Sequence, residues 1–353
     1  MRSDAPAPVM TDVARLAGVS HQTVSRVVNG SPNVSGPTKA KVLAAMEQLG
    51  YRRNAVARAL ATRRSGTLGV ITFNTVLHGP VTTLYGVERA ASALGLGVSI
   101  AVVDQITSEA VVRALTRLQD QSVDGVVAMA PQQDALRALT AELPALPTVF
   151  VGGVLGGGAG EASALPAVGT DQRGGAHAAT RHLLDLGHRT VHHLAGPQDW
   201  LDASWRVEGW RAALSAAGAP EPEFVAGDWS ARSGYSAMRT LLAADPGLTA
   251  VFVANDQMAL GALRALDEAG RSVPGDVSVV GFDDVPEAEF FRPPLTTVSQ
   301  QFAEAGRRAV QLLLDLIRPH DTPSGPSPRP LVPTELLVRR SSGPAPGVRS
   351  GVP

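Results

Sequence analysis

Apolar positions along this chain follow two rhythms. Up to about residue 64 they recur three or four residues apart, the spacing of one buried stripe on a helix. Val13, Ala14, Leu16 and Ala17 form one such stripe, and Val24, Val27 and Val28 form a second. Between them stands the turn Gly18-Val19-Ser20, with Ser20 placed to cap the second helix. A third helix is predicted from about Gly36 to Gly50, with Ser35 as N-cap, Pro37 in its first turn, and Val42, Leu43, Met46 and Leu49 on its buried side. From Thr67 the pattern changes to short apolar runs alternating with longer amphipathic ones. The runs predict strands at 68–73, 98–103, 123–129, 148–151, 190–195, 250–254 and 277–282, and a last one at 331–338. Helices fall near 81–94, 108–120, 133–142, 173–186, 204–217, 231–244, 258–269 and 301–317. This alternation means parallel sheets with both faces covered. The number of units implies an α/β domain of two doubly wound subdomains, with a ligand cleft at the carboxyl ends of the strands.

The domain boundaries follow from breaks in the pattern. Residues 1–8 are Pro/Ala-rich and expected to lack fixed structure, 9–52 form a small all-α domain, 53–65 a basic helix and linker, and 66–340 the α/β domain. The chain crosses between subdomains near Ala167–Asp171, returns near Thr297–Phe302 and crosses again near 330. Subdomain one then spans about 66–168 and 299–329, and subdomain two about 169–298 and 330–340. Three strands at one waist permit hinge motion with both halves folded. The stretch 152–164 lacks periodicity and is read as a surface loop, 319–330 as a Pro/Ser-rich connection, and 341–353 as a disordered tail.

Composition narrows the chemistry. The chain has 353 residues, 44% of them hydrophobic, and no cysteine, which excludes disulfides and thiolate catalysis. It shows no apolar run of 18 residues and no apolar N-terminal segment, so it is expected in the cytoplasm and away from membranes. The net charge of −1 conceals an asymmetry: residues 1–64 carry ten Lys or Arg against three Asp or Glu, leaving 21 basic and 29 acidic residues in the remainder. The small domain is the part suited to a polyanion.

Two short helices with almost no linker are the layout of a helix-turn-helix, although an unrelated amphipathic pair fits the composition equally well. Between the valines of the second helix stand His21, Gln22, Thr23, Ser25, Arg26 and Asn29, side chains able to bond base edges or phosphates. The run AGVSHQTVSRVVN resembles the N-terminal signature of the lactose-repressor (LacI/GalR) family, and the resemblance continues through nearly the whole chain. It implies a helix-turn-helix domain followed by a periplasmic-binding-protein-like domain. The implied function is a transcriptional repressor that binds double-stranded operator DNA as an inverted repeat and responds to a small sugar. Ser20, His21, Gln22, Thr23, Ser25, Arg26 and Asn29 would then face DNA, with His21 and Gln22 where the family varies its operator preference. By itself the basic stretch 51–64 reads as a helix-favouring linker; the resemblance makes it a hinge helix, with Leu60 as the minor-groove wedge supported by Asn54 and Ala57. The chain departs from the family at Val9, where a capping Thr is usual, so that either Thr11 caps a shorter helix or the first turn frays, and at Arg53, where Pro is frequent.

Polar and aromatic residues fall just after several predicted strands: Phe73 and Asn74, Asn255 and Asp256, Asp283 and Asp284. Sugar hydroxyls want paired donors and acceptors, and ring faces want aromatic planes. Helix N-caps explain Asp256 and Asp284 at least as well. The blocks AGPQDWLDASWRVEGW, GDWSARSG, VANDQMALGALRA, DVSVVGFDD and PPLTTVSQ are similar to those carrying sugar contacts in galactoside-responsive members of the family. Transferred residue by residue, Arg206 would fork onto hydroxyls, Trp229 pack on the ring, Asn255 and Asp283 bind hydroxyls, and Gln300 and Phe302 close the waist. The match at Leu77-His78-Gly79-Pro80 implies an apolar wall that includes Leu77 and Pro80. Phe73 replaces a small hydroxyl residue and is expected to narrow the pocket; Asp134, on a shortened 131–134 loop, is the candidate for a sugar-binding carboxylate. Trp205 fits either the pocket or a domain core.

His177 and His182, and His188, His192 and His193, lack the i, i+4 spacing of a helical metal pair. No Walker A, dinucleotide fingerprint or GxSxG elbow occurs in a suitable setting, so neither an enzyme nor a cofactor is expected. The reading is a homodimer, paired through exposed apolar positions on helices 81–94 and 108–120 by resemblance, without a C-terminal leucine heptad for tetramers. The expected effector is a β-galactoside or, failing that, another disaccharide. A sugar-binding module with a vestigial DNA domain is the alternative.

Overall fold

The computed structural model describes residues 8–28, 31, 33–51, 64–73, 77–103, 107–129, 132–141, 146–152, 166–317 and 331–347. The chain forms two compact units, Met1–Ser65 and Gly66–Pro353.

In the first unit, helices α1 (Met10–Ala17), α2 (His21–Val28) and α3 (Gly36–Leu49) enclose a core of Val13, Ala14, Val24, Val27, Val28, Val42 and Ala45. Leu16 and Leu43, expected inside, are 45% and 47% exposed, and Ala45 takes the inner place. Three short helices enclose too little volume for every apolar residue. α1 starts at Met10 with Val9 as N-cap, not at Thr11. The Asp12 carboxylate accepts the Val9 N–H at 3.0 Å, supplying from the third helical position what Val9 cannot. Gly18 ends α1 at φ 63°, a left-handed conformation in which glycine has no Cβ to clash. Ser35 caps α3 by backbone position only; its hydroxyl bonds that of Thr38 at 2.8 Å.

The second unit holds two six-stranded sheets. The first has the order β11-β5-β4-β3-β1-β2, from β1 (Thr67–Phe73), β2 (Gly97–Val103), β3 (Gly125–Met129), β4 (Thr148–Val151), β5 (Ala167–Thr170) and β11 (Leu331–Val332). Its strands are parallel, with Val70 opposite Ile100 on one side and Val127 on the other. α4 (His78–Ala93), α5 (Ser108–Asp120), α6 (Gln133–Ala141) and α11 (Phe302–Ile317) belong to this half. Alternate strand residues serve opposite faces: Ile71, Phe73, Val126 and Phe150 join one core, and Leu68, Val70, Val127 and Val149 the other. α4 and α11 pass so closely that a Cβ on Gly86 would lie 2.2 Å from the Ala303 carbonyl.

The second sheet has the order β12-β10-β9-β8-β6-β7, from β6 (His192–Ala195), β7 (Val225–Ala226), β8 (Ala250–Val253), β9 (Ser278–Asp283), β10 (Thr296–Gln300) and β12 (Thr334–Leu337). Around it lie α7 (Gln172–Asp185), α8 (Leu201–Ala217), α9 (Ala231–Ala244) and α10 (Asp256–Glu268). All neighbours are parallel except the β10–β12 pair.

The chain passes between the halves after Thr170 and after Gln300, within the ranges that the sequence pattern gives, and at Pro333, about three residues later than expected. The run 331–338, read as one strand, is two strands in different sheets. Pro333 has no N–H to continue a ladder, and the chain changes sheet there. At this waist Asp171 N–H donates to Val332 O at 2.9 Å, and the Thr334 hydroxyl donates to Asp171 O at 3.2 Å.

The expectation of disorder from 341 onward does not hold for 341–347. The buried Ser341 hydroxyl donates to Val279 O at 2.6 Å and accepts from Thr296 N at 2.7 Å, while Ala345 N–H donates to Leu186 O. This segment is held by hydrogen bonds, which leave no hydrophobic periodicity to read. No helix among the described residues is long and apolar enough to cross a membrane.

Candidate functional site

Two surfaces carry the candidate residues. On the first unit, His21, Gln22 and Arg26 are exposed along α2, with Thr23 and Ser25 half-buried and Val24, Val27 and Val28 turned into the core. Ser20 does cap α2: Thr23 N–H donates to its Oγ at 3.1 Å, and the two hydroxyls lie 2.9 Å apart. A groove beside α2 gathers Thr23, Arg26, Asn33, Ser35 and Thr38, hydroxyls and a guanidinium suited to phosphate. The sequence pattern gave no hint that Ser35 and Thr38 belong with α2, since a loop separates them from it. Asn29, Asn54, Ala57 and Leu60 lie outside the described residues, as does Asn74.

The second surface is a cleft between the two sheets of the larger unit, about 790 Å³ including its open mouth. Leu77, His78 and Pro80 at the start of α4 and Phe302 at the start of α11 form one wall; His78 meets the Phe302 ring edge-on at 5.8 Å. Trp200, Arg206, Trp229, Asn255 and Asp283 form the other.

Arg206 is the hub. It is 3% exposed, its Nε donates to Gln172 Oε1 at 2.8 Å, a second nitrogen donates to Ala254 O, and Nη2 pairs with Asp283 Oδ1 at 3.3 Å. Its guanidinium lies 4.1 Å from the Phe282 ring centroid and 5.2 Å from that of Trp229. Asp283 Oδ1 also accepts from Gln300 Nε2 at 2.7 Å. Burial raises the Asp283 carboxyl above its ordinary value, and the Arg206 charge beside it pulls the other way. Gln300 Oε1 in turn accepts from Gln172 Nε2 at 2.7 Å, so Gln300 sits behind the wall as a strut of the network.

Backbone strain concentrates here. Among described non-glycine residues, positive φ occurs at Ser122 and at three site residues: Trp229 (73°), Asp283 (106°) and Asp284 (54°). The Trp229 indole lies flat against Gly196, where a Cβ would come 2.3 Å from the ring. Asn255 is the N-cap of α10, its Oδ1 accepting Met258 N–H at 2.9 Å; its Nδ2 donates to Trp229 O at 3.1 Å and Gln257 Oε1 at 3.0 Å. The cap proposed for Asp256 thus belongs to its neighbour. Asp256 is fully buried, accepting Val285 N–H at 2.9 Å and the Thr297 hydroxyl at 2.6 Å. Burial, then the Asp283 charge, push its carboxyl up to about 8. Asp284 pairs with Arg339 at 2.7 Å, tying the cleft turn to the C-terminal segment.

Three expected cleft residues are elsewhere. Phe73 is 1% exposed and packs in the core with Ile71, Leu118 and Phe150, so it does not narrow the cleft; strand alternation sends it to that face. Asp134 stands in the first turn of α6 with its side chain 79% exposed, 3.7 Å from Arg137. Trp205 packs against the first-half core, because on α8 it is turned about 100° from Arg206. Its place in the wall is taken by Trp200, which meets Trp229 edge-on at 5.4 Å. Asp202, one turn before Arg206 on the same helix face, also lines the cleft; that i, i+4 spacing was the signal for it. Gln172 and Thr170 carried no such signal, being brought in by the waist.

His188 and His193 hold the second half together. His193 stacks on Phe252 at 4.6 Å, its Nδ1–H donating to Phe252 O at 2.9 Å, and burial drives the imidazole down to about 3. His188 contacts Thr249, Ser278 and Gly343 O at 3.0–3.1 Å. No cluster of His, Asp or Glu among the described residues is placed to hold a metal ion.

Two family models match the chain: bacterial regulatory proteins, lacI family, over residues 9–54, and a periplasmic binding protein-like domain over residues 180–342. The chain is 38% identical over 307 residues to the lactose operon repressor of Escherichia coli (strain K12), covering 86% of this chain and 83% of that one. The crystal structure of the lac repressor dimer bound to operator and the anti-inducer ONPF matches with a TM-score of 0.82 and 35% identity, over 96% of this chain and 100% of that one. A complex of the transcriptional regulator CelR with cellobiose matches with a TM-score of 0.71 and 36% identity, over 95% and 100% respectively.

Proposed function

The chain belongs to the lacI family of bacterial regulatory proteins, and from that premise we propose that it is a homodimeric repressor of sugar-utilisation genes, released from its operator by a β-galactoside. It is a DNA-binding transcriptional repressor gated by a sugar effector, and not an enzyme. The observation that carries the sugar reading is the buried Arg206–Asp283 pair beside the Trp229 indole, a charged fork and an aromatic plane in one cleft wall. The fork and carboxylate bind ring hydroxyls while the indole packs on the ring's apolar face. A ligand touching both walls favours the closed cleft, and that difference in affinity shifts the two halves.

Two copies of α2 read the halves of an inverted repeat, with His21 and Gln22 on base edges and Arg26, Thr23 and Ser25 on bases or phosphates. Asn29 extends that face, and paired hinge segments set Leu60, flanked by Asn54 and Ala57, into the minor groove between half-sites. Val81 and Tyr85, 46% and 59% exposed one turn apart on α4, support the dimer, with Ile100 and Val102 on the edge strand β2. The second expected surface, α5, shows no large exposed apolar residue, so β2 replaces it in this reading.

A gel-shift titration with an inverted-repeat operator tests the proposal. A β-galactoside should release the wild-type protein, and Arg206→Ala should stay bound at sugar concentrations that clear the wild type. Failure of the wild type to shift any operator would leave the module with a vestigial DNA domain. A different disaccharide is the second reading, supported by the match to the CelR–cellobiose complex and by Trp200 in the wall.

A further inference from the structure

Arg206 and Asp283 are two corners of a closed ring of hydrogen bonds. Arg206 Nε donates to Gln172 Oε1 at 2.8 Å, Gln172 Nε2 to Gln300 Oε1 at 2.7 Å, and Gln300 Nε2 to Asp283 Oδ1 at 2.7 Å. Arg206 Nη2 closes the circuit on Asp283 Oδ1 at 3.3 Å. A guanidinium only donates and a carboxylate only accepts, so each amide between them has one orientation. All four side chains are buried, where water does not stand in for a lost bond.

Thr170 is joined to both amide corners. Gln172 Nε2 also donates to Thr170 Oγ1 at 2.8 Å, and the Thr170 hydroxyl donates to Gln300 Oε1 at 2.5 Å. Both hydrogens of Gln172 Nε2, both acceptor sites of Gln300 Oε1 and the single hydroxyl proton are thereby used. Thr170 ends β5 of the first sheet, whereas the four ring residues lie in the second half. The crossovers meet here as well. Gln300 ends β10 at one, Thr170 and Gln172 flank Asp171 at another, and Asp171 holds the third through Val332 O and the Thr334 hydroxyl. A rotation about these crossovers moves Thr170 relative to the amides, and bonds this short do not follow it without loss.

We propose that the Thr170 hydroxyl is a positioning group for the effector response: it passes the state of the ring to the first half. This rests on the sugar-gated repressor reading, and it concerns transmission and not ligand contact. A sugar that draws on Arg206 and Asp283 shifts two corners of the ring, and the amides, which have no spare N–H facing Thr170, shift with them. The hinge angle at which Thr170 keeps both bonds then changes. The ligand thereby acquires a different affinity for the two hinge states, which is what coupling between sites requires.

The test compares Thr170→Val, which keeps the shape and loses the hydroxyl, with Thr170→Ser, which keeps the hydroxyl. Full-length proteins are titrated by calorimetry with lactose, cellobiose, galactose and glucose. Operator affinity is then measured by gel shift without sugar and at saturation, on an inverted repeat selected by the wild type from a random duplex library. The ratio of the two operator affinities should be about tenfold smaller in Thr170→Val than in the wild type, and Thr170→Ser should restore most of it. A packing role would raise the sugar concentration needed and leave the extent of release at saturation unchanged. Thr170→Val released as fully as the wild type at saturation, or unable to bind sugar at all, overturns the link and leaves the repressor reading in place. A wild type that binds none of the four sugars, or binds one and stays on its operator, overturns the sugar-gated reading and the link with it.

Discussion

Asp256 is a fully buried carboxyl, and it touches the cleft only through its neighbours. It anchors Val285 and Thr297 beneath the strained Asp283–Asp284 turn. Its folded pKa, about 8, lies above the unfolded value of 3.8, so between those limits the folded state keeps a proton that the unfolded chain has released. The sign follows directly: stability from this group falls as pH rises through that window. Thermal unfolding followed across the window should show Asp256→Asn with a flatter pH dependence than the wild type; identical slopes would mean the carboxyl is ionised in the fold. Single residues were also where the sequence was read with mixed success. Arg206, Trp229, Asn255 and Asp283 stand in specific motifs, and their side chains converge. Phe73 was misplaced and Trp205 was left open between pocket and core, because an aromatic near a strand end or helix start has several directions open to it, and only packing selects one.

At the scale of elements, α2 shows how a cap and a buried stripe present a polar face. Ser20 holds its first turn and three valines bury its back, so His21, Gln22 and Arg26 have no packing role to spare them for. Gln22→Ala should therefore leave stability unchanged while costing about 1–3 kcal/mol in operator binding and relaxing preference at one base pair. Gel shifts against single-base operator variants read both effects, and a uniform loss across variants would assign Gln22 to the backbone instead. Long elements were legible, since an amphipathic helix such as α5 or a fully apolar strand such as β4 repeats its signal. The short strands β5, β7 and β10 are absent from the predicted set, and β11 and β12 are merged in it. Two to five residues hold too little of a period, and their strand character comes from the neighbour they pair with.

For the whole molecule, the proposed reading makes operator recognition depend on dimerisation, because one α2 would read only half of an inverted repeat. Tyr85 is 59% exposed on α4, and a buried carboxylate in place of its ring would lack a partner. Tyr85→Asp should shift the protein from dimer to monomer in sedimentation and lower operator affinity in parallel, with sugar binding retained. A dimer of unchanged strength would move the interface off α4 and β2. The positive balance of residues 1–64 belongs to this scale too, since phosphate contacts release counterions and make operator affinity fall with salt.

The sequence by itself determined the small helical domain, the parallel-sheet class of the rest, the polar identity of α2 and the motif residues of the cleft. Each is set by periodicity or by a local run of side chains. Tertiary structure alone decided which side chains share the cleft. It exchanged Trp205 for Trp200, sent Asp134 to solvent and made Gln300 a strut behind Asp283. It also drew 341–347 onto the second sheet and split the last strand at Pro333. The physical reason is common to these cases: a helix face or a sheet neighbour joins residues far apart in the chain, and local pattern holds no record of who the neighbour is.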